Sequence, residues 1–241
     1  KSSLYTISSP KSFRPGYSQS SDKVLARLVD KLQLTDSIYE FCYELPREID
    51  FCPGQYARIQ HSDAYYGSYS IVSKNGRLIK FIIETKFGGF YAAYFKFLKP
   101  GDYSTIRLPL GDFTLRQSDN KKVFISTGTG IAPQISMISY ATKNSLDEKI
   151  DVYFGCRYAK DNFINRYLRD FEKNFTINLK ICISRERKEG YIHGRVTNTI
   201  NAVAGNFKND DFYISGNPVM VADTVKVLRK KGAINIYSEN Y

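Results

Sequence analysis

The chain has 241 residues, 42% of them apolar and 24% charged, which is the composition of a globular protein and excludes a disordered one. That length suits two domains of about 100–120 residues each. No apolar run approaches the roughly 20 residues that span a bilayer, and no secretory core opens the chain. With 35 Lys and Arg against 24 Asp and Glu, the net charge is +11.

Residues 1–23 read as a leader. From 24 to 117 the signals are those of strands, at 24–34, 39–44, 55–60, 69–73, 78–84 and 105–108. Turn pairs separate them: Pro53-Gly54, Asn75-Gly76, Pro100-Gly101 and Gly111-Asp112. Asn75-Gly76 between two such runs signals a hairpin. Six short strands with tight turns predict a small closed barrel or a sandwich. Tyr91, Tyr94, Phe95 and Leu98 recur at helical spacing and predict one short helix at 90–98.

Beyond the polar stretch 117–122 strands alternate with helices. A strand at 123–126 runs through a glycine loop into a helix at 134–142. A strand at 152–155 follows, then a helix capped by Asp161 with Phe163, Ile164, Tyr167, Leu168 and Phe171 on one face. Further strands are expected at 179–183 and 212–215. Asn217-Pro218 supplies a cap and a first-turn proline for a helix at 219–231 that Gly232 closes, and a last strand is expected at 234–236. This alternation predicts an α/β domain over 118–241, a parallel sheet with helices on both faces and a nucleotide at the carboxyl ends of its strands.

Cys42, Cys52, Cys156 and Cys182 form no Cys-x-x-Cys pair. Four free, buried thiols, a reducing cytoplasmic setting and no metal centre are expected. The positive charge attracts acidic partners, but the basic residues are spread along the chain without a block of five, which argues against a nucleic-acid arm. Thr127-Gly128-Thr129-Gly130-Ile131-Ala132-Pro133 joins a strand to a helix. Gly128 and Gly130 let backbone approach a pyrophosphate, and the helix start favours its charge. The loop matches neither the dinucleotide fingerprint nor a P-loop, so alone it is equally a structural turn.

Other motifs stand around it in a definite order. They are Pro53-Gly54-Gln55-Tyr56, Ser68-Tyr69-Ser70-Ile71-Val72-Ser73, Gly88-Gly89-Phe90, Lys99-Pro100-Gly101-Asp102 and Pro109-Leu110-Gly111-Asp112-Phe113. After the glycine loop come Ser184-Arg185-Glu186, Gly194-Arg195-Val196 and Ser215-Gly216-Asn217-Pro218-Val219-Met220. From residue 24 to 241 the chain resembles the ferredoxin–NADP reductase superfamily. The resemblance implies a flavin-binding six-stranded barrel over 24–117 and an NAD(P)-binding domain over 118–241. It implies hydride transfer from NADPH to flavin N5, then single electrons to an acidic carrier such as ferredoxin or flavodoxin. FAD is the expected flavin with FMN as alternative, and NADP the expected nucleotide with NAD as alternative.

The resemblance also implies roles. Tyr69 packs on the isoalloxazine, Ser70 reaches N5, and Ile71 continues that strand; Gly88 and Gly89 offer backbone N–H groups to a phosphate. Gly128, Thr129, Gly130 and Pro133 cradle the nicotinamide nucleotide with Gly216 and Pro218. Arg157, Ser184, Arg185 and Arg195 resemble the set that holds an adenosine 2′-phosphate, where planar bidentate donors suit the charge. Ser215 stands where the family often has cysteine beside the nicotinamide. Glu239-Asn240-Tyr241 resembles the family's ending, with Glu239 near the reaction and Tyr241 stacking on the flavin. The family's phosphate-binding arginine two residues before the tyrosine is Gly67 here. Restoring it is expected to tighten flavin retention, and Lys86 or Lys74 is expected to stand in for it. Alternatives are an NADH-dependent reductase of an oxygenase system, and a relative that has lost its flavin.

Overall fold

Alternation builds part of the first half of the chain. In β1 (Asp22–Gln33) Ala26 and Leu28 turn inward while Leu25 and Arg27 face solvent. β3 (Tyr56–Ser62) and most of β6 (Tyr103–Leu110) alternate likewise, whereas β2 (Ile38–Glu44), β4 (Tyr65–Asn75) and β5 (Leu78–Glu84) carry runs of consecutive buried residues. The computed structural model describes residues 21–86, 90–144, 150–172 and 177–240. The chain divides into two units, Lys1–Arg116 and Gln117–Tyr241.

In the first unit the strands close as an antiparallel barrel in the order β1-β2-β5-β4-β3-β6. Its interior is Leu28, Phe41, Tyr43, Ile59, Ile71, Ile79, Phe81, Ile106 and Leu108. The β4–β5 hairpin pairs Asn75 with Leu78, so the turn is Gly76-Arg77 and Gly76 takes the positive φ of 57°. The helix α1 (Phe90–Phe97) sends Phe95 into the barrel core. From β1, Lys31 Nζ donates to the carbonyls of Phe95, Lys96 and Leu98 at 2.9, 2.8 and 3.1 Å, so a strand lysine caps the helix C-terminus.

The second unit runs β7 (Lys121–Thr127), α2 (Ile131–Asn144), β8 (Ile150–Cys156), α3 (Asn165–Glu172), β9 (Ile177–Ile183) and β10 (Ile192–His193). Then come α4 (Val196–Ala202), β11 (Asp210–Gly216), α5 (Pro218–Lys230) and β12 (Asn235–Asn240). All its strand pairs are parallel, in the order β10-β9-β8-β7-β11-β12. Val123, Ile125, Phe212 and Ile214 pack with Val196 and Ile200 of α4 and Val221 and Leu228 of α5 on one face. On the other face α2 crosses the sheet with α3 beside it.

Asn217 caps α5 as its sequence predicts, its Oδ1 accepting from Val219 N at 3.0 Å and Met220 N at 3.4 Å. Asp161 does not cap α3. It lies in a 3₁₀ turn, Ala159–Asp161, where its carboxylate accepts from Tyr158 N at 3.2 Å, and α3 begins only at Asn165. Phe163 and Ile164 are buried ahead of that helix. β10 and α4 were not among the expected elements. All four cysteines are free, but only Cys42 and Cys182 are buried; Cys52 and Cys156 are half-buried. Among the described residues no helix is long and apolar enough to cross a membrane.

Candidate functional site

The strand order reverses between β7 and β11, and such a reversal opens a crevice at the carboxyl ends of a parallel sheet. The residues there are the glycine loop and Ser215-Gly216. Gly130 and Gly216 are held by packing. A Cβ on Gly130 would stand 2.5 Å from the Ser215 carbonyl and 2.6 Å from Gly216 Cα, and one on Gly216 would stand 2.6 Å from Thr127 Oγ1. Gly128 differs: it has φ +55° and nothing within 4 Å of the Cβ position. Two glycines thus close the turn against β11 while the third leaves its surface open. Thr129 is half-buried between them, and Pro133 is buried in the first turn of α2.

Ser215 is fully buried beneath this loop. Its hydroxyl donates to the Gly130 carbonyl at 2.7 Å and accepts from Gln134 Nε2 at 2.8 Å. Gln134 Nε2 also faces the Ile125 and Tyr213 carbonyls at 2.9 and 3.0 Å. The hydroxyl is therefore a strut that ties β11 to the loop. Glu239 stands beside Ser215 in the β11–β12 register and is half-buried. Pro218 opens α5 directly after Gly216-Asn217.

At the other side of this sheet Arg157, Ser184, Arg185 and Arg195 line one open cleft of about 630 Å³ together with Gly194 and Asn198. Arg157 follows β8, Ser184 and Arg185 follow β9, and Arg195 precedes α4. Backbone bonds register the loops: Ser184 N to Cys156 O at 3.2 Å, Arg185 N to Arg157 O at 3.0 Å and Gly194 N to Ile183 O at 2.8 Å. Three arginines from three loops thus line one cleft with a serine and an asparagine, residue types suited to a phosphate monoester. Asn198 escaped the sequence reading because α4, which carries it, was not anticipated.

In the barrel, Tyr69 and Ser70 lie on β4 with their side chains on opposite faces. Ser70 is buried and pairs with Tyr56 of β3, and Ile71 enters the core. Gln55 locks this region: its Nε2 donates to Gly111 O at 3.0 Å, its Oε1 accepts from Cys52 N at 2.7 Å, and its carbonyl accepts from Ile71 N at 3.0 Å. Tyr56 lies over Gly111, where a Cβ would meet its ring at 2.7 Å. Tyr69 is half-buried against the core, its ring 5.0 Å from that of Phe95 and its hydroxyl 3.1 Å from His61 Nε2. His61 is 6% exposed, and burial pushes its imidazole down to about 4. Nothing in the strand pattern singled His61 out.

One expectation fails here. Lys74 cannot stand in for the missing arginine: it is 2% exposed, with Nζ 2.6 Å from Asp50 Oδ1 and 3.6 Å from Glu48 Oε2. An arginine at residue 67 would have to move its neighbours. A Cβ there would collide with the Tyr69 hydroxyl, with His61 Cε1 at 2.6 Å and with Tyr69 Cε2 at 2.7 Å. Lys86 is exposed. Gly88, Gly89 and Tyr241 lie outside the described residues.

The family model of the oxidoreductase NAD-binding domain matches residues 124–226. The anthranilate 1,2-dioxygenase electron transfer component of Acinetobacter baylyi is 28% identical over 208 residues, which cover 81% of this chain and 59% of that protein. The cytochrome P450 reductase GcoB of Amycolatopsis shares the fold with a TM-score of 0.85 at 21% identity, over 91% of this chain and 70% of that one. A ferredoxin NADP+ reductase from Neisseria gonorrhoeae, solved with bound FAD and NADP, shares it with a TM-score of 0.78 at 19% identity, over 90% and 98%. Over residues 124–226 the chain carries an oxidoreductase NAD-binding domain, and its whole fold is similar to that of ferredoxin–NADP reductase-like proteins. It spans less than two thirds of the length of its dioxygenase-component relative. The open Gly128 turn at the switch point and the triple-arginine cleft could hold a nicotinamide dinucleotide. Tyr69 on β4 offers a ring to a flat ring system, and a side chain at 67 would displace that ring from its present position.

Proposed function

We propose that the chain is the reductase module of an electron-transfer system: it takes hydride from NADPH on a bound FAD and passes electrons singly to an acidic carrier of the ferredoxin or flavodoxin kind. The observation that carries the nucleotide half is the convergence of Arg157, Arg185 and Arg195 on one cleft with Ser184. A phosphate monoester with up to two charges needs several fixed cations, whereas a ribose hydroxyl does not. Gly128, Thr129 and Gly130 would hold the pyrophosphate through backbone N–H groups at the start of α2. Ser215 and Gln134 keep that loop in place from below. In the barrel Tyr69 would orient the flavin ring, and Ser70 would donate its hydroxyl at the reacting edge. The flavin itself supplies hydride acceptance and one-electron release. The likeness to the anthranilate dioxygenase component favours a second reading, a reductase component of an oxygenase system drawing on NADH.

Two measurements test this. The absorbance spectrum of the purified chain, before and after anaerobic NADPH, should show a flavin that bleaches; a colourless chain that takes up no added FAD removes the enzymatic reading. Arg185→Ala should raise KM for NADPH by about ten- to a hundredfold, the value of a charge-assisted hydrogen bond, and leave KM for NADH nearly unchanged. Equal losses for both nucleotides would favour the NADH reading.

A further inference from the structure

We propose that His61 is a positioning residue for Tyr69, and that the pair takes the place of a cationic anchor at residue 67. This rests on the flavin reading above. On β4, Gly67, Tyr69 and Ile71 share one face, and Ile71 is in the barrel core. The Tyr69 ring lies back along its own strand over Gly67, as the overlap of its hydroxyl and Cε2 with the Cβ position shows. β3 pairs Ile59 with Gly67, and a bulge between Gln60 and Ser62 follows, which puts His61 beside the same position. Its Nε2 meets the phenol at 3.1 Å.

The imidazole is itself fixed. Its centroid lies 5.1 Å from both Tyr94 and Phe95, tilted at 35° to the first ring and edge-on at 82° to the second. Phe95 in turn stands edge-on to Tyr69 at 5.0 Å. α1, held at its C-terminus by Lys31, thus walls in both partners. The imidazole is neutral at pH 7, because burial lowers its pKa. The contact is therefore a neutral hydrogen bond in an aromatic box. Any side chain at 67 would expel the phenol from it, so the glycine and the histidine belong to one device. The chemical consequence is specific. β4 offers the flavin an oriented ring and no charge for the phosphate that FMN and FAD share, so that phosphate adds little to affinity at this strand.

The test uses the full chain stripped of flavin and titrated with FMN and with riboflavin by flavin fluorescence. FMN should bind less than about tenfold tighter than riboflavin, below the value of a charge-assisted phosphate contact. His61→Leu should weaken both about fivefold, as loss of one neutral hydrogen bond does, without changing their ratio, and His61→Gln should restore most of that loss. A separate signature needs no flavin. The chain has two histidines, so the His61 imidazole resonance is assigned by comparison with His193→Gln. It should move in Tyr69→Leu and in Gly67→Ala. A preference for FMN of tenfold or more, or unchanged binding in His61→Leu, overturns the inference. If neither flavin binds while Tyr69→Leu still shifts the His61 resonance, the flavin reading is what fails. If flavin binds and the resonance ignores Tyr69, the inference alone fails.

Discussion

At the scale of single residues, His61 couples burial to pH. Its pKa falls from 6.5 to about 4 because the folded barrel withholds water from the imidazolium. Between those values the unfolded chain binds a proton that the folded chain refuses. The stabilisation is therefore present above pH 6.5 and drains away as pH falls toward 4, on the order of 3 kcal/mol for the whole shift. Urea midpoints at pH 7 and pH 4.5 should differ more in the wild type than in His61→Leu, where this proton uptake is gone. Equal differences would mean that the imidazole is hydrated in solution. Ser70 offers a kinetic counterpart. It is buried on the face of β4 opposite Tyr69, so its removal should spare the ring contact. Ser70→Ala should slow anaerobic flavin reduction by NADPH about tenfold, the worth of one hydrogen bond at the reacting edge, and change the flavin Kd much less. Wild-type stopped-flow traces from the variant would remove Ser70 from that edge.

At the scale of elements, the switch point between β7 and β11 separates two kinds of glycine. Gly130→Ala would drive a methyl into the Ser215 carbonyl and Gly216 Cα, backbone atoms that cannot swing aside. Thermal melting of the nucleotide-free chain should report a loss of about 1–3 kcal/mol, the range for forced overpacking. Gly128→Ala meets no protein atom and should cost only its left-handed backbone, about 1–2 kcal/mol, while crowding the surface offered to the pyrophosphate. If Gly128→Ala binds NADPH as well as wild type does, the nucleotide does not sit on that turn. The strands of both units were legible because alternation, short apolar runs and turn glycines are local signals. The arginine set rests on the family resemblance and on no local period: Arg195 lies between β10 and α4, neither of which the sequence signals. What failed has a common physical cause. Lys74 read as a spare cation, but Asp50 and Glu48, distant in sequence, claim it. Asp161 read as a helix cap, but the chain makes a 3₁₀ turn first. β10 is two residues long, and α4 offers only Val196 and Ile200 as buried positions, too few to give a period. His61 is a lone histidine in an alternating strand, and its role exists only through Gly67 and α1.

At the scale of the whole molecule the net charge of +11 bears on the electron acceptor. Carriers of single electrons meet their reductases briefly and through small interfaces, so long-range attraction governs how often productive encounters occur. The pairs Lys74–Asp50, Lys122–Asp211 and Lys80–Glu40, with one or both partners buried, cancel within that sum and leave the net charge to other residues. Three arginines line the cleft that follows β8 and β9. The remaining exposed cations are what a carrier would meet. Reduction of an acidic carrier such as ferredoxin or flavodoxin should therefore slow steeply as salt shortens the Debye length from about 10 Å at 0.1 M to about 3 Å at 1 M. Reduction of a small neutral dye by the same chain should change far less, because it needs no steering. NADPH must be kept saturating in both assays, since its phosphates feel the same screening. Parallel slowing of the two acceptors under those conditions would show that the charge serves nucleotide binding and solubility, and the carrier would then have to be sought among neutral proteins.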